Sequence, residues 1–229
     1  RSRYFANMSR SLQQQQLFLG DQAPDFESET TMGHIKFSSF IQDKWAILFS
    51  HPKDFTPVCT SELGRVAQLE KEWSTRGVAV IALSCDSVES HKKWVKDIEA
   101  IHNCKVFYPI IADDDRKIAC LYGMLDKSSS ETELPLTVRS VFFIAPDKSI
   151  KATLSYPAST GRNFDEILRI LDSLQLTAKY KVATPADWVR GQQCVIPPTL
   201  SDDKATDMFG EFKTIRPYLR MTNDPSSCK

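Results

Sequence analysis

The decisive stretch runs WAILFS at 45–50 and continues His51-Pro52-Lys53-Asp54-Phe55-Thr56-Pro57-Val58-Cys59-Thr60-Ser61-Glu62-Leu63. Trp45–Ser50 is an unbroken apolar run of strand length, the pattern of a strand covered on both faces. A helix follows, read as Ser61 to about Arg76, with Leu63, Val66, Leu69 and Trp73 on one stripe. A buried strand passing through a short loop into a helix puts Cys59 in or near the first helical turn. Unpaired backbone N–H groups and the helix dipole favour an anion there. A thiol so placed tends towards the thiolate, which is the nucleophile. Thr56 carries a hydroxyl three residues before the sulfur, and Pro52 offers a rigid apolar wall without an N–H. The alternative for a lone cysteine is a packing residue; the combination with Pro52 and Thr56 favours the reactive reading.

Working outward, Val78–Ser84 and Ser140–Ala145 are further buried-strand runs. Pro146–Ser149 makes a turn and Ile150–Ser155 returns as a hairpin partner. Helices are predicted from Ser87 to about Ala100, over Asp115–Tyr122, and along the face Phe164, Ile167, Leu168, Leu171 and Leu174. Asn163 and Glu166 give the last of these a capping-box-like start. Such alternation predicts an α/β fold, a three-layer α/β/α domain over residues 17–185. Prolines at 185, 197 and 198 then change the texture. Residues 186–229 read as a small C-terminal appendage that packs on the main domain or on a second subunit. Residues 1–16, with three arginines and no acid, read as a flexible leader, with an organellar presequence as the alternative.

Among the 229 residues, 41% are hydrophobic and 25% charged, which excludes a wholly disordered chain. The 29 basic and 29 acidic residues leave no net charge, so a nucleic-acid partner held by bulk charge is not expected. No apolar run approaches the roughly 18 residues of a transmembrane segment. Cys59, Cys85, Cys104, Cys120, Cys194 and Cys228 contain no C-x-x-C pair, so neither a vicinal dithiol nor a zinc ribbon is available. Cys85 and Cys120 read as packing residues, Cys104 as a surface thiol, and Cys194 and Cys228 belong to the appendage. Four scattered histidines suggest no metal site, and no other cofactor is implied.

The string P-K-D-F-T-P-V-C at 52–59 fits the P-x-x-x-T-x-x-C signature of peroxiredoxins. The wider F-S-H-P-K-D-F-T-P-V-C-T-S-E-L resembles their 1-Cys, peroxiredoxin-6-type subfamily. So do S-H-K-K-W ending at Trp94, G-M-L-D at 123–126, L-P-L-T-V-R-S-V-F-F-I at 134–144 and Y-P-A-S-T-G-R-N at 156–163. The resemblance runs from about Leu17 to Leu219, and several ordered motifs make it specific. It implies a thioredoxin-like fold and a thiol-dependent peroxidase in antioxidant defence. Hydrogen peroxide and organic hydroperoxides would be reduced through a cysteine sulfenic acid.

On that resemblance Cys59 matches the peroxidatic cysteine, Thr56 the threonine that bonds the peroxide, and Pro52 the proline shielding the sulfur. Arg139 matches the arginine beside the thiolate, and Glu62 and Arg162 match positions that orient it. His51 matches a histidine beside the site; a core histidine bonded to backbone is its other reading. Residues 176–185 hold no cysteine where typical 2-Cys relatives carry V-C-P, so an external thiol reductant is implied, such as glutathione with a transferase. A homodimer formed through the appendage is implied as well. Thiol usage points to an intracellular protein; the cytoplasm is the expected compartment, with the mitochondrion as the alternative because of the leader. A holdase chaperone and a peroxide sensor are the competing functions. Some relatives also hydrolyse phospholipids with Ser, His and Asp. Here Lys44 replaces the serine and Ser38 the histidine, only Asp147 remains, and that activity is not expected.

Overall fold

The structure, a computed structural model, describes residues 14, 16–127 and 134–227. Most of the 1–16 leader and Cys228 therefore lie outside the described residues. The chain divides into two compact units, one ending at Arg162 and one beginning at Asn163.

In the first unit seven strands form one sheet among the described residues. They are β1 (Glu27–Thr30), β2 (Gly33–Lys36), β3 (Trp45–Ser50), β4 (Val78–Ser84), β5 (Ile110–Ala112), β6 (Arg139–Ile144) and β7 (Ile150–Tyr156). Their order is β2-β1-β5-β4-β3-β6-β7. β3 runs parallel to β4, with Ile47 opposite Val80, and antiparallel to β6, with Leu48 opposite Phe142. β6 and β7 form the expected antiparallel hairpin.

Both faces of the central strands are buried, which explains their unbroken apolar sequence. One face presents Ala46, Leu48, Ile81, Leu83, Phe142 and Ile144. It packs with Phe37 and Ile41 of α1 (Phe37–Ile41) and with Ile118 and Ala119 of α5 (Lys117–Leu121). On the other face the Phe49 ring lies 5.9 Å from Tyr108, whose hydroxyl donates to Leu63 O of α2 (Pro57–Gln68) at 2.8 Å. Helices thus cover both sides of the sheet, giving the expected layers.

The predicted helix from Ser61 differs in detail. α2 spans Pro57–Gln68 and α3 spans Glu70–Thr75, separated at Leu69. The start lies four residues earlier because Thr56 is extended (φ −116°, ψ 147°) and Pro57 occupies the first turn, where its missing N–H costs nothing. The apolar stripe continues across the break, and Trp73 is buried with its indole N–H on Val66 O (3.0 Å). Helix α4 (Val88–His102) starts at Ser87, whose hydroxyl accepts from Ser90 N, and ends at Asn103 in the left-handed region (φ 47°). Gly64 of α2 meets α4 so closely that a Cβ there would lie 2.1 Å from the His102 ring.

The second unit contains α6 (Phe164–Lys179), α7 (Asp202–Phe209) and a small sheet ordered β8 (Cys194–Ile196), β10 (Leu219–Thr222), β9 (Lys213–Arg216). Asn163 caps α6 by accepting from Asp165 N and Glu166 N, while the Glu166 carboxylate pairs with Arg169; the expected box is half made. Trp188 and Cys194 pack with Leu176 and Val182, and Ile196 packs with Leu200 and Ala205.

Candidate active site

The loop after β3 and the start of α2 deliver Cys59 to the first helical turn, with the sulfur side chain fully buried. Arg139, the first residue of β6, is brought beside it because β6 pairs with β3. Arg139 Nη1 donates to Cys59 Sγ at 3.3 Å and to Glu62 Oε2 at 2.8 Å. Its Nε and Nη2 both donate to Ala158 O, at 3.0 and 2.5 Å. The guanidinium plane is therefore fixed from two sides, with one N–H directed at the sulfur.

Glu62 stands one helical turn after Cys59 and carries a second arginine. Arg162 donates to it through backbone N (2.8 Å), Nε (3.0 Å) and Nη2 (2.6 Å), and through Nη1 to Ser50 O and Ser140 O. Burial acts to raise the Glu62 carboxyl, but Arg162 and then Arg139 outweigh it and hold it below the ordinary value of 4.5. An ionised carboxylate shared by two buried guanidiniums leaves this cluster net positive beside the sulfur.

Pro52 is buried in the same loop. The Thr56 hydroxyl donates to Lys53 O at 2.9 Å, so the bond it makes here is to the loop. Thr60, next to Cys59, bonds Thr56 O and accepts from the Trp94 indole N–H at 3.2 Å. The structure thus assembles Cys59, Arg139, Glu62 and Arg162 by direct bonds, with Pro52 and Thr56 on the loop that supplies the cysteine.

His51 departs from the backbone-bonded core histidine. Its ring is fully buried, 5.1 Å from Trp94, and Nε2 contacts Asp54 Oδ1 at 2.9 Å. The second oxygen of Asp54 meets His91 Nδ1 at 2.7 Å and the Ser90 hydroxyl at 2.8 Å. His91 Nε2 in turn faces Ile111 O at 3.1 Å. The reading of the histidines as scattered is corrected here: α4 folds back over the β3–α2 loop and brings residues 37 apart together. Asp54 lies in the quoted motif and His91 in S-H-K-K-W, but no local pattern joins them. Their donor atoms lie within 4.8 Å of one another, the one such metal-type group among the described residues. Hydrogen bonds already link its members. Burial acts to raise Asp54, but His51 and His91 hold it far below the ordinary carboxylate range.

The other cysteines lie outside this arrangement. Burial pushes Cys85 up to about 12 and Cys194 up to about 11, consistent with packing roles. Lys44 follows α1, the Ser38 hydroxyl donates to Asp25, and Asp147 accepts from Ser149 within its turn. No hydrolytic triad is assembled by these bonds.

The chain is similar to known proteins in both sequence and fold. The AhpC/TSA family matches residues 19–153, and the C-terminal domain of 1-Cys peroxiredoxin matches residues 173–211. A 1-Cys peroxiredoxin of Dictyostelium discoideum is 53% identical over 211 residues, covering 92% of this chain and 86% of that protein. The solved peroxiredoxin 6 of Arenicola marina superposes with a TM-score of 0.88 at 48% identity, covering 92% of this chain and 99% of that one. A yeast mitochondrial 1-Cys peroxiredoxin, solved to explain thiol resolution via glutathione/thioredoxin systems, gives 0.84 at 44% identity, covering 91% and 100%. The chain belongs to the peroxiredoxin family, with its thioredoxin-like fold. Within that family it is of the 1-Cys, peroxiredoxin-6 type, a thiol peroxidase that reduces peroxides through a cysteine sulfenic acid.

Proposed function

We propose that Cys59 is the peroxidatic nucleophile of a one-cysteine cycle. The observation that carries this reading is the buried Arg139 N–H on Cys59 Sγ, backed by Glu62. The Cys59 thiolate attacks one peroxide oxygen, an S–O bond forms and the O–O bond breaks. The departing oxygen leaves as water or an alcohol once protonated. Arg139 stabilises the sulfur anion and the charge that grows on the departing oxygen. Pro52 walls the sulfur from water, and Thr56 holds the peroxide in line when its hydroxyl turns from Lys53 O. Arg162 and Glu62 hold Arg139 in place, with His51 beside them.

An external thiol then reduces the sulfenic acid; without it, excess peroxide carries the sulfur to irreversible acids. Glutathione with a transferase is one candidate reductant; the yeast mitochondrial relative was solved to explain resolution via glutathione/thioredoxin systems. Residues 186–229 serve as the dimerisation segment of a homodimer, following a domain of residues 17–185 and a leader at 1–16. The cytoplasm is the favoured compartment, with the mitochondrion second. Stopped-flow decay of hydrogen peroxide with glutathione tests the core of this reading. Cys59→Ser is expected to abolish consumption; retained consumption would remove Cys59 from the chemistry. Sedimentation of the full chain tests the dimer, and a monomer at micromolar concentration refutes it.

A further inference from the structure

We propose that Asp54 and His91 are positioning residues for the peroxidase reaction. Together they hold His51 as the Nε2–H tautomer and leave its Nδ1 as a bare proton acceptor in the loop that leads to Cys59. The inference rests on the role of Cys59 given above and extends it to the proton.

Ile111 O can only accept, so His91 Nε2 carries a hydrogen. One further proton lies in the 2.7 Å contact between His91 Nδ1 and Asp54 Oδ2, which Ser90 Oγ also approaches at 2.8 Å. Asp54 Oδ1, with the proton of the pair on the other side, accepts; its contact to His51 Nε2 therefore needs the hydrogen on that nitrogen. Burial keeps His51 below its ordinary value of 6.5 against the pull of Asp54, so the neutral ring has one hydrogen to place. Nδ1 is then hydrogen-free. It is buried, and among the described residues it shares with Arg220 Nε alone the state of a buried side-chain nitrogen without a hydrogen-bond partner.

The remaining neighbours are accounted for. Asp86, in the loop between β4 and α4, accepts from Asp54 N and from the Ser84 hydroxyl, which orients the Asp54 backbone. Trp94 flanks the His51 ring from α4. Among the described residues, Asp54, His91 and Asp86 are the charged and titratable groups that act most strongly on His51.

A free lone pair has a use in the balanced reaction. Cys59–SH and R–O–O–H give Cys59–SOH and R–OH. Sulfur loses two electrons to the peroxide, and the thiol proton ends on the departing oxygen. A base that takes this proton and returns it must have an empty acceptor site, which His51 Nδ1 offers only in this tautomer.

Two-bond ¹H–¹⁵N correlation on the full-length, ¹⁵N-histidine-labelled protein reads the tautomer directly. The expected pattern for His51 at pH 7 is a protonated Nε2 and an unprotonated Nδ1. Asp54→Asn offers an amide donor to Nε2; it should move the hydrogen to Nδ1 and slow the reaction with hydrogen peroxide by about 10- to 100-fold, displacing the pH–rate profile. His91→Gln should change both readouts in the same direction. A wild-type Nδ1–H signal overturns the proposal even if the variants fail to fold, and so does an Asp54→Asn protein with unchanged rate and pH profile. Wild-type protein that shows the expected tautomer but consumes no peroxide removes instead the role of Cys59, and this proposal with it.

Discussion

Glu62→Gln tests the electrostatic frame of the site. Glu62 accepts four N–H donors, one from Arg139 and three from Arg162, at 2.6–3.0 Å. The side chains of all three residues are at most 3% exposed. Glutamine keeps the shape but turns one acceptor oxygen into an NH2 group facing other N–H donors. It also removes the charge that offsets two buried guanidiniums. Breaking one partner out of such a buried ionic group costs about 3–5 kcal/mol. For a chain of this size, at roughly 2–4 °C per kcal/mol, the melting temperature should fall by about 6–20 °C. Arg139 keeps its anchor on Ala158 O, so the peroxide rate should fall by about tenfold rather than vanish, corresponding to about 1.4 kcal/mol. Urea unfolding, calorimetry and stopped-flow kinetics measure the three effects. A variant within about 1 kcal/mol of wild type would show that the guanidiniums do not depend on this carboxylate.

The remaining predictions concern pH, thiol access and helix packing. Glu62 and Asp54 have folded-state values below their unfolded ones, so the unfolded chain binds more protons in acid. Their stabilisation is complete above about pH 4.5 and is lost as pH falls through the folded values. The urea midpoint should therefore drop between about pH 5 and pH 3, and less steeply in Glu62→Gln; an unchanged slope in that variant refutes the assignment. Cys85 and Cys194, pushed up to about 12 and about 11 by burial, should resist iodoacetamide at pH 8 until urea is added, as read by peptide mass spectrometry. Gly64→Ala should cost about 1–3 kcal/mol because its Cβ would meet the His102 ring. Adding His102→Ala should recover most of that loss, and additive losses would contradict the clash.

The sequence was legible where one segment determines its own environment. The runs at 45–50, 78–84 and 140–145 are mostly apolar because helices cover both sides of the sheet, and they read as strands; the last begins one residue earlier, at Arg139. The P-x-x-x-T-x-x-C loop pointed to the cysteine, and the family resemblance over 134–144 pointed to the arginine. The outer strands were not legible: β1, β2 and β5 are three or four residues long and owe their place to pairing with distant partners, as Thr30 does with Ile111. The helix break at Leu69 escaped because the apolar stripe runs through it unchanged. The meeting of His51, Asp54 and His91 escaped for another reason. Asp54 and His91 look like surface residues in their own segments, and their burial is decided by the α4 helix closing over the loop.

The bond from Arg139 to Cys59 spans 80 positions, and the one from Arg162 to Glu62 spans 100. During synthesis the cysteine leaves the ribosome long before the arginine that will stand beside it, and the residue that steadies this arginine comes later still. Chain growth at roughly 5–20 residues per second makes that interval on the order of 4–20 seconds. Throughout it the nascent thiol lacks its guanidinium partner. The pairing of this thiol with its guanidinium therefore waits until the polypeptide can close its own sheet.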